Sequence, residues 1–138
     1  MLPKKIIVHH SATKDGKTFS WSAIKRYHVE ERGWLDIGYH AGVECVDDDF
    51  FVILGRPWDM DGAHTKGQNG IALGLCFVGN FNEYEPDEEM LDAGAGLVRL
   101  WRKIYDIPVS SIHKHSEYSN TECPGELFPW TRFLLKCR

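Results

Sequence analysis

The sequence has no long apolar run, no Cys-x-x-Cys pair, no block of lysine and arginine, and no internal repeat or low-complexity tract. Each absence removes a class of protein. No stretch approaches the ~20 apolar residues that a bilayer demands, so no membrane insertion is expected. Met1-Leu2-Pro3-Lys4-Lys5-Ile6-Ile7-Val8 has a basic pair but only a three-residue apolar run, too short for a secretory signal. The expectation is a chain made in the cytoplasm, with anything outside the membrane reached by other means. The four cysteines, Cys45, Cys76, Cys123 and Cys137, have neither zinc-ribbon nor thioredoxin spacing. Cys45 and Cys76 lie in strand-like runs and read as buried thiols, and the missing signal argues against disulfides. With a net charge of −4 and no basic patch, a nucleic-acid surface is not expected. The acidic runs Asp47-Asp48-Asp49 and Glu83 to Asp92 read as solvated turns and helix starts.

What is present is ordinary for a globular protein: 138 residues, 43% apolar and 26% charged. That length implies one domain, residues 1–138, able to bury about two-thirds of its unfolded surface without disulfide staples. Lys4 to His9 reads as a strand, apolar on both faces and therefore central. After a polar connection over 11–17, Thr18 or Ser20 can cap a helix running to about Arg32, with Gly33 as its stop. Trp21, Ile24, Tyr27 and His28 share one side of it. A hairpin follows, Tyr39 to Val46 and Phe50 to Leu54, with Asp47-Asp48-Asp49 as the turn. Arg56 to Asn69 has the composition of a functional loop on a rigid scaffold. Ile71 to Val78 is another interior strand.

Pro86 with Asp87, Glu88 and Glu89 marks the start of a helix that reaches about Asp106. Gly94 and Gly96 inside it each cost about 1 kcal/mol against alanine, so the helix is expected to press close to a neighbour there. Val109 to His115 reads as a last short strand and Glu126 to Lys136 as a final helix. The order β-α-β-β-β-α-β-α gives an α/β fold, a mixed sheet of about five strands flanked by about three main helices.

The chemistry centres on His115 to Gly125. A histidine and a cysteine bracket a polar run that can curl, and Pro124-Gly125 lets the backbone turn just past the sulfur. Imidazole and thiolate are ligands that zinc prefers. A third ligand must come from elsewhere, and the strand ending in His9-His10 is the best source. Those two alternate across a strand, so only one can face a given site. His113 and His115 lie two apart on one face, and alternation does not separate them.

Four fragments, Val8-His9-His10-Ser11-Ala12-Thr13, Gly33-Trp34-Leu35-Asp36-Ile37-Gly38-Tyr39-His40, Gly62-Ala63-His64-Thr65-Lys66-Gly67-Gln68-Asn69 and His115 to Gly125, together resemble the type 2 N-acetylmuramoyl-L-alanine amidases. That family includes the lysozyme of phage T7 and the animal peptidoglycan recognition proteins. The resemblance spans nearly the whole chain, in the right order. It implies the fold of those proteins and a zinc amidase that cuts between N-acetylmuramic acid and the L-alanine of the peptidoglycan stem. It implies His9, His115 and Cys123 as Zn²⁺ ligands, with a fourth position left for water, the mark of a catalytic site. His10 then packs or supports.

The resemblance gives Tyr39 a role on the bound water or the transition state. Thr121 departs from the phage pattern, which has lysine two residues before the cysteine; catalytic recognition proteins carry threonine there. A hydroxyl can donate to an oxyanion but supplies no positive charge. His64, as proton donor or substrate contact, joins Lys66, Asn69 and Trp34 as the substrate-binding candidates. The implied partner is peptidoglycan, met by a monomer with no separate wall-binding domain. An endolysin released by a holin fits this frame. A cytosolic muropeptide-recycling amidase and a binding module that does not cut are the alternatives.

Overall fold

The computed structural model describes residues 1–13 and 20–138. The alternative cap Thr18 and most of the connection after Ser11 lie outside the described residues. The elements are β1 (Lys5–His10), α1 (Trp21–Arg26), β2 (Ala41–Val46), β3 (Asp49–Leu54), β4 (Ala72–Phe77), α2 (Glu88–Tyr105), β5 (Ile112–Lys114) and α3 (Trp130–Lys136). They build a five-stranded mixed sheet in the order β3-β2-β4-β1-β5. β1 is parallel to both β4 and β5, β2 is parallel to β4, and only the β2–β3 hairpin is antiparallel. Ile6, Ile7 and Val8 are fully buried, as a strand covered on both faces must be.

Local chemistry sets the boundaries. The Ser20 hydroxyl accepts from the Ala23 N–H at 3.4 Å and starts α1. The helix then widens into a π turn over Tyr27–Glu31, closed by the Arg32 N–H on the Tyr27 carbonyl at 3.2 Å. Gly33 takes φ +69° just beyond. The hairpin turn is shorter than the acidic triplet suggested. Asp49 already pairs with Val46, leaving Asp47 and Asp48 at φ +50° and +67°, as a two-residue turn of the primed type requires.

Three helix and strand ends also differ from the sequence pattern, each at a proline. Pro86 precedes α2 rather than entering its first turn, and Asp87 is the cap. The Pro108 carbonyl accepts from the Ser111 N–H at 2.9 Å and winds 109–111 into a 3₁₀ turn, so β5 keeps only three residues. Pro129 disfavours helical backbone at Phe128, and α3 therefore begins at Trp130 rather than Glu126.

Helices α2 and α3 cover one face of the sheet. There Ile6, Val8, Leu73, Leu75 and Phe77 meet Leu91, Val98, Trp101 and Phe133 in the main core. A Cβ on Gly94 would lie 2.3 Å from the Phe77 ring, so α2 does press on the sheet at that point. Gly96 makes no such approach; only the mobile end of Arg99 lies within reach, at 3.7 Å. The opposite face carries a smaller cluster, Trp21, Ile37, Cys76 and Val78, with Ile24, Tyr39 and Ile53 against it. Cys76 is buried and Cys45 only half-buried, and none of the four cysteines is in a disulfide. Among the described residues no helix is long and apolar enough to cross a membrane.

Candidate metal centre

Parallel pairing brings the ends of β1 and β5 to the same edge of the sheet. Val8 is in register with Lys114, so His9 and His115 fall side by side, their rings 4.5 Å apart. His10 points through to the other face, where its ring packs on Phe81 and its Nδ1 accepts from the Phe81 N–H at 3.1 Å. His113 is held by Glu117, Nδ1 to Oε1 3.1 Å, and lies against Tyr118. That separates it from His115, which the spacing alone did not.

The polar loop after β5 returns Cys123 to this point. Its ends are clamped by the Ser116 N–H on the Cys123 carbonyl at 3.0 Å, and the Thr121 hydroxyl accepts from the Cys123 N–H at 3.2 Å. Gly125, at φ +116°, passes so close to the Phe81 backbone that a Cβ would sit 2.4 Å from its carbonyl carbon. One ligand atom each from His9, His115 and Cys123 can be chosen such that all lie within 4.8 Å of one another.

Two imidazoles and one thiol make a donor set that suits zinc. Tetrahedral zinc with ordinary Zn–N and Zn–S lengths separates N from S by roughly 3.6 Å. His9 Nδ1 and Cys123 Sγ are 3.8 Å apart. The His10 backbone N–H donates to the same sulfur at 3.3 Å, a contact that favours a thiolate. In the metal-free chain, burial pushes the Cys123 thiol up to about 12, against the pull of that N–H. His9 is held well below the usual histidine value by burial and then by His64 and His115, and burial also lowers His115. Both imidazoles are thus neutral at pH 7, as ligands must be.

The three donors sit in the wall of a cleft of about 290 Å³, shared with Tyr39, Thr121, His64 and Trp34. Tyr39 stacks 5.2 Å from the His9 ring. Its hydroxyl is pushed well above the usual tyrosine value by burial and by Cys76 and Cys123, and it shares a hydrogen bond with the Cys76 thiol. It therefore keeps its proton and can donate. Thr121 is exposed at the rim. Lys66 is exposed and outside the cleft wall, and the Asn69 side-chain carbonyl is spent inside its own loop, accepting from the His64 and Thr65 N–H groups at 2.8 and 2.9 Å.

Two wall residues escaped the sequence reading. His28 accepts from the Gly38 N–H at 3.0 Å through Nδ1, and burial followed by Arg32 and Arg56 lowers its pKa. It therefore stays neutral, with Nε2–H free to donate. Arg32 lies over the Trp34 ring at 5.4 Å. Their i, i+4 spacing just before Trp34 was the available signal. Beyond them a second cavity of about 440 Å³, lined by Ser11, Thr13, Ala23, Ile24, Tyr27, His28 and Tyr39, adjoins the first.

Comparison with known proteins gives the family. Residues 1–126 match the sequence model described as N-acetylmuramoyl-L-alanine amidase (Amidase_2). The chain is 31% identical to the endolysin of Enterobacteria phage K11, over 93% of this chain and 85% of that one. It is 32% identical to peptidoglycan-recognition protein LE of Drosophila melanogaster over 94% of this chain, and spans only 40% of that protein's length. It superposes on the N-acetylmuramoyl-L-alanine amidase LysC from Clostridium intestinale URNW with a TM-score of 0.85 and 29% identity, covering 99% of this chain and 85% of that one. This chain belongs to the N-acetylmuramoyl-L-alanine amidase family of type 2.

Proposed function

We propose that this chain is a zinc-dependent N-acetylmuramoyl-L-alanine amidase that acts on peptidoglycan as a phage or prophage endolysin. The observation that carries the reading is the convergence of His9, His115 and Cys123 at the wall of an open cleft. A relative of nearly matching length is itself an endolysin. Zinc, when bound, supplies Lewis acidity for activating water and polarising the amide carbonyl.

The side chains divide the remaining work. Tyr39 keeps its hydroxyl proton and sits beside His9, so it serves as the donor to charge that builds on the amide oxygen. Thr121 shapes the Cys123 loop through its bond to the Cys123 N–H, which supports a positioning role for it. His28 and Arg32 offer a neutral N–H donor and a positive charge in the same cleft, suited to acyl and carboxylate oxygens of a muropeptide. Trp34, stacked on both His28 and Arg32, stiffens the cleft wall there.

The test is digestion of purified sacculi by zinc-loaded, chelated and zinc-restored protein, scored for new alanine amino termini. Loss on chelation with recovery on zinc is the expected result. Equal behaviour of chelated and restored protein would end the zinc-amidase reading. Tight muropeptide binding with uncut product would make the chain a recognition module, and activity confined to soluble fragments would make it a recycling enzyme.

A further inference from the structure

We infer that His64 is a positioning residue that fixes which nitrogen of His9 is offered to the metal; this rests on the zinc reading above. His64 Nε2 lies 3.1 Å from the Ala72 carbonyl oxygen. A carbonyl only accepts, so Nε2 carries the proton, and in a neutral ring Nδ1 is left as an acceptor.

His64 Nδ1 stands 2.9 Å from His9 Nε2 and 3.0 Å from the Thr65 hydroxyl, which itself lies 3.4 Å from His9 Nε2. Two arrangements satisfy these distances. His9 Nε2–H donates to His64 directly, or it donates to Thr65 while the Thr65 hydroxyl donates to His64. Both put the His9 proton on Nε2 and leave the Nδ1 lone pair free. That Nδ1 is the atom 3.8 Å from the Cys123 sulfur.

The slot for His64 is built from both sides. A Cβ on Gly62 would lie 2.5 Å from the His64 ring, and one on Gly74 would lie 2.6 Å from it. Gly74 is in the middle of β4, a buried central strand where glycine is ordinarily unfavourable. The loop backbone is also tied, since Asn69 holds the N–H groups of both His64 and Thr65. With both nitrogens engaged inside the protein, His64 has none left for substrate. Ligating histidines depend on such a partner for ring orientation and basicity.

The experiment is zinc affinity by competition with a chromophoric chelator, on wild type, His64→Leu and His64→Asn, with circular dichroism to check the fold. Asn places its Oδ1 about where Nδ1 stood, whereas Leu offers no acceptor. The expected result is an affinity loss of about 10–100-fold for His64→Leu, with most of it recovered in His64→Asn. Long-range ¹H–¹⁵N spectra of zinc-loaded wild type give a reading independent of any variant, with His9 protonated at Nε2 and metal-bound at Nδ1. A folded His64→Leu protein with wild-type affinity, or His9 bound through Nε2, overturns the inference while leaving the zinc site standing. Wild-type protein that takes up no zinc overturns both.

Discussion

The two faces of the sheet are made from the same strands and are chemically opposite. In β4, Leu73, Leu75 and Phe77 point toward α2 and α3, while Gly74 and Cys76 lie beneath His64 and Tyr39. In β1, Ile6 and Val8 enter the main core while His9 goes to the cleft. One face is large, apolar and interlocked; among its described side chains only the Trp101 indole N–H is buried without a partner. The other sets a small apolar cluster around Trp21 and Ile37 beside a polar region hydrogen-bonded through His9, His28, His40 and His64. Alternation along a strand lets stability and chemistry be set separately at adjacent residues.

That separation can be broken from either side. Cys123→Ser removes the sulfur from the cleft and nothing from the core. Zinc uptake and release of alanine termini should both be lost, while the urea midpoint of the metal-free protein stays near wild type. Phe77→Ala is the opposite experiment. Phe77 is fully buried, with Phe128 and Phe133 edge-on at 5.2 and 5.5 Å. Its loss should cost about 3–5 kcal/mol in urea unfolding, with zinc affinity of the folded fraction within a few-fold of wild type. A large affinity loss would mean that the two faces are coupled. Tyr39→Phe should lower kcat by about 100–1000-fold, the range for removing one donor to a developing oxyanion. KM should change little, and an equal rise in KM would make Tyr39 a binding residue instead.

Much of this comparison is legible in the sequence. Periodicity gives the order of elements, because a β-branched run such as Ile6-Ile7-Val8 has few other uses. The motif positions of His9, His115 and Cys123 point to residues that the fold brings together. What escapes is decided in three dimensions. Whether His113 or His115 lies beside His9 depends on the register of β1 with β5, which sets Val8 against Lys114. The ends of α3 and β5 turn on Pro129 and on the Pro108 carbonyl, local effects that the apolar pattern runs through. His64 reads as a proton donor or substrate contact, and the slot that Gly62 and Gly74 make around its ring has no mark in the sequence. His28 lies in a π turn and Arg32 caps it, so their i, i+4 spacing shows that they are neighbours but not that they face the cleft.

The imidazole-rich face should also set the acid limit of the metal-free protein. Burial holds His9, His40 and His64 on this face below the usual value, His64 at about 3, and it holds His10 on the other face at about 4. Below about pH 6.5 the unfolded chain binds protons that the folded chain refuses, so unfolding gains as pH falls. The stabilisation is complete above about pH 6.5 and is lost as pH falls toward these lower values. Each such histidine contributes up to about 1.4 kcal/mol per pH unit. The urea midpoint should therefore fall steeply from about pH 6.5 to 4.5, and less steeply in His64→Asn. A flat midpoint over that range would show the rings to be accessible to protons in the folded state.

The smallest effect separates two glycines of α2 that the sequence treats alike. Alanine lowers the conformational freedom of the unfolded chain and favours helix, a gain of about 1 kcal/mol where space allows. At Gly96 the nearest obstacle is the end of the Arg99 side chain at 3.7 Å, so Gly96→Ala should raise stability by about that amount. At Gly94 the new methyl would meet the Phe77 ring at 2.3 Å, held in turn between Phe128 and Phe133. Gly94→Ala should therefore destabilise by about 1–3 kcal/mol through overpacking. Paired urea titrations read the sign directly. Opposite signs locate the rigid face of the sheet at Gly94, and a gain at both positions would mean that the Phe77 ring can move aside without disturbing the packing beneath the metal centre.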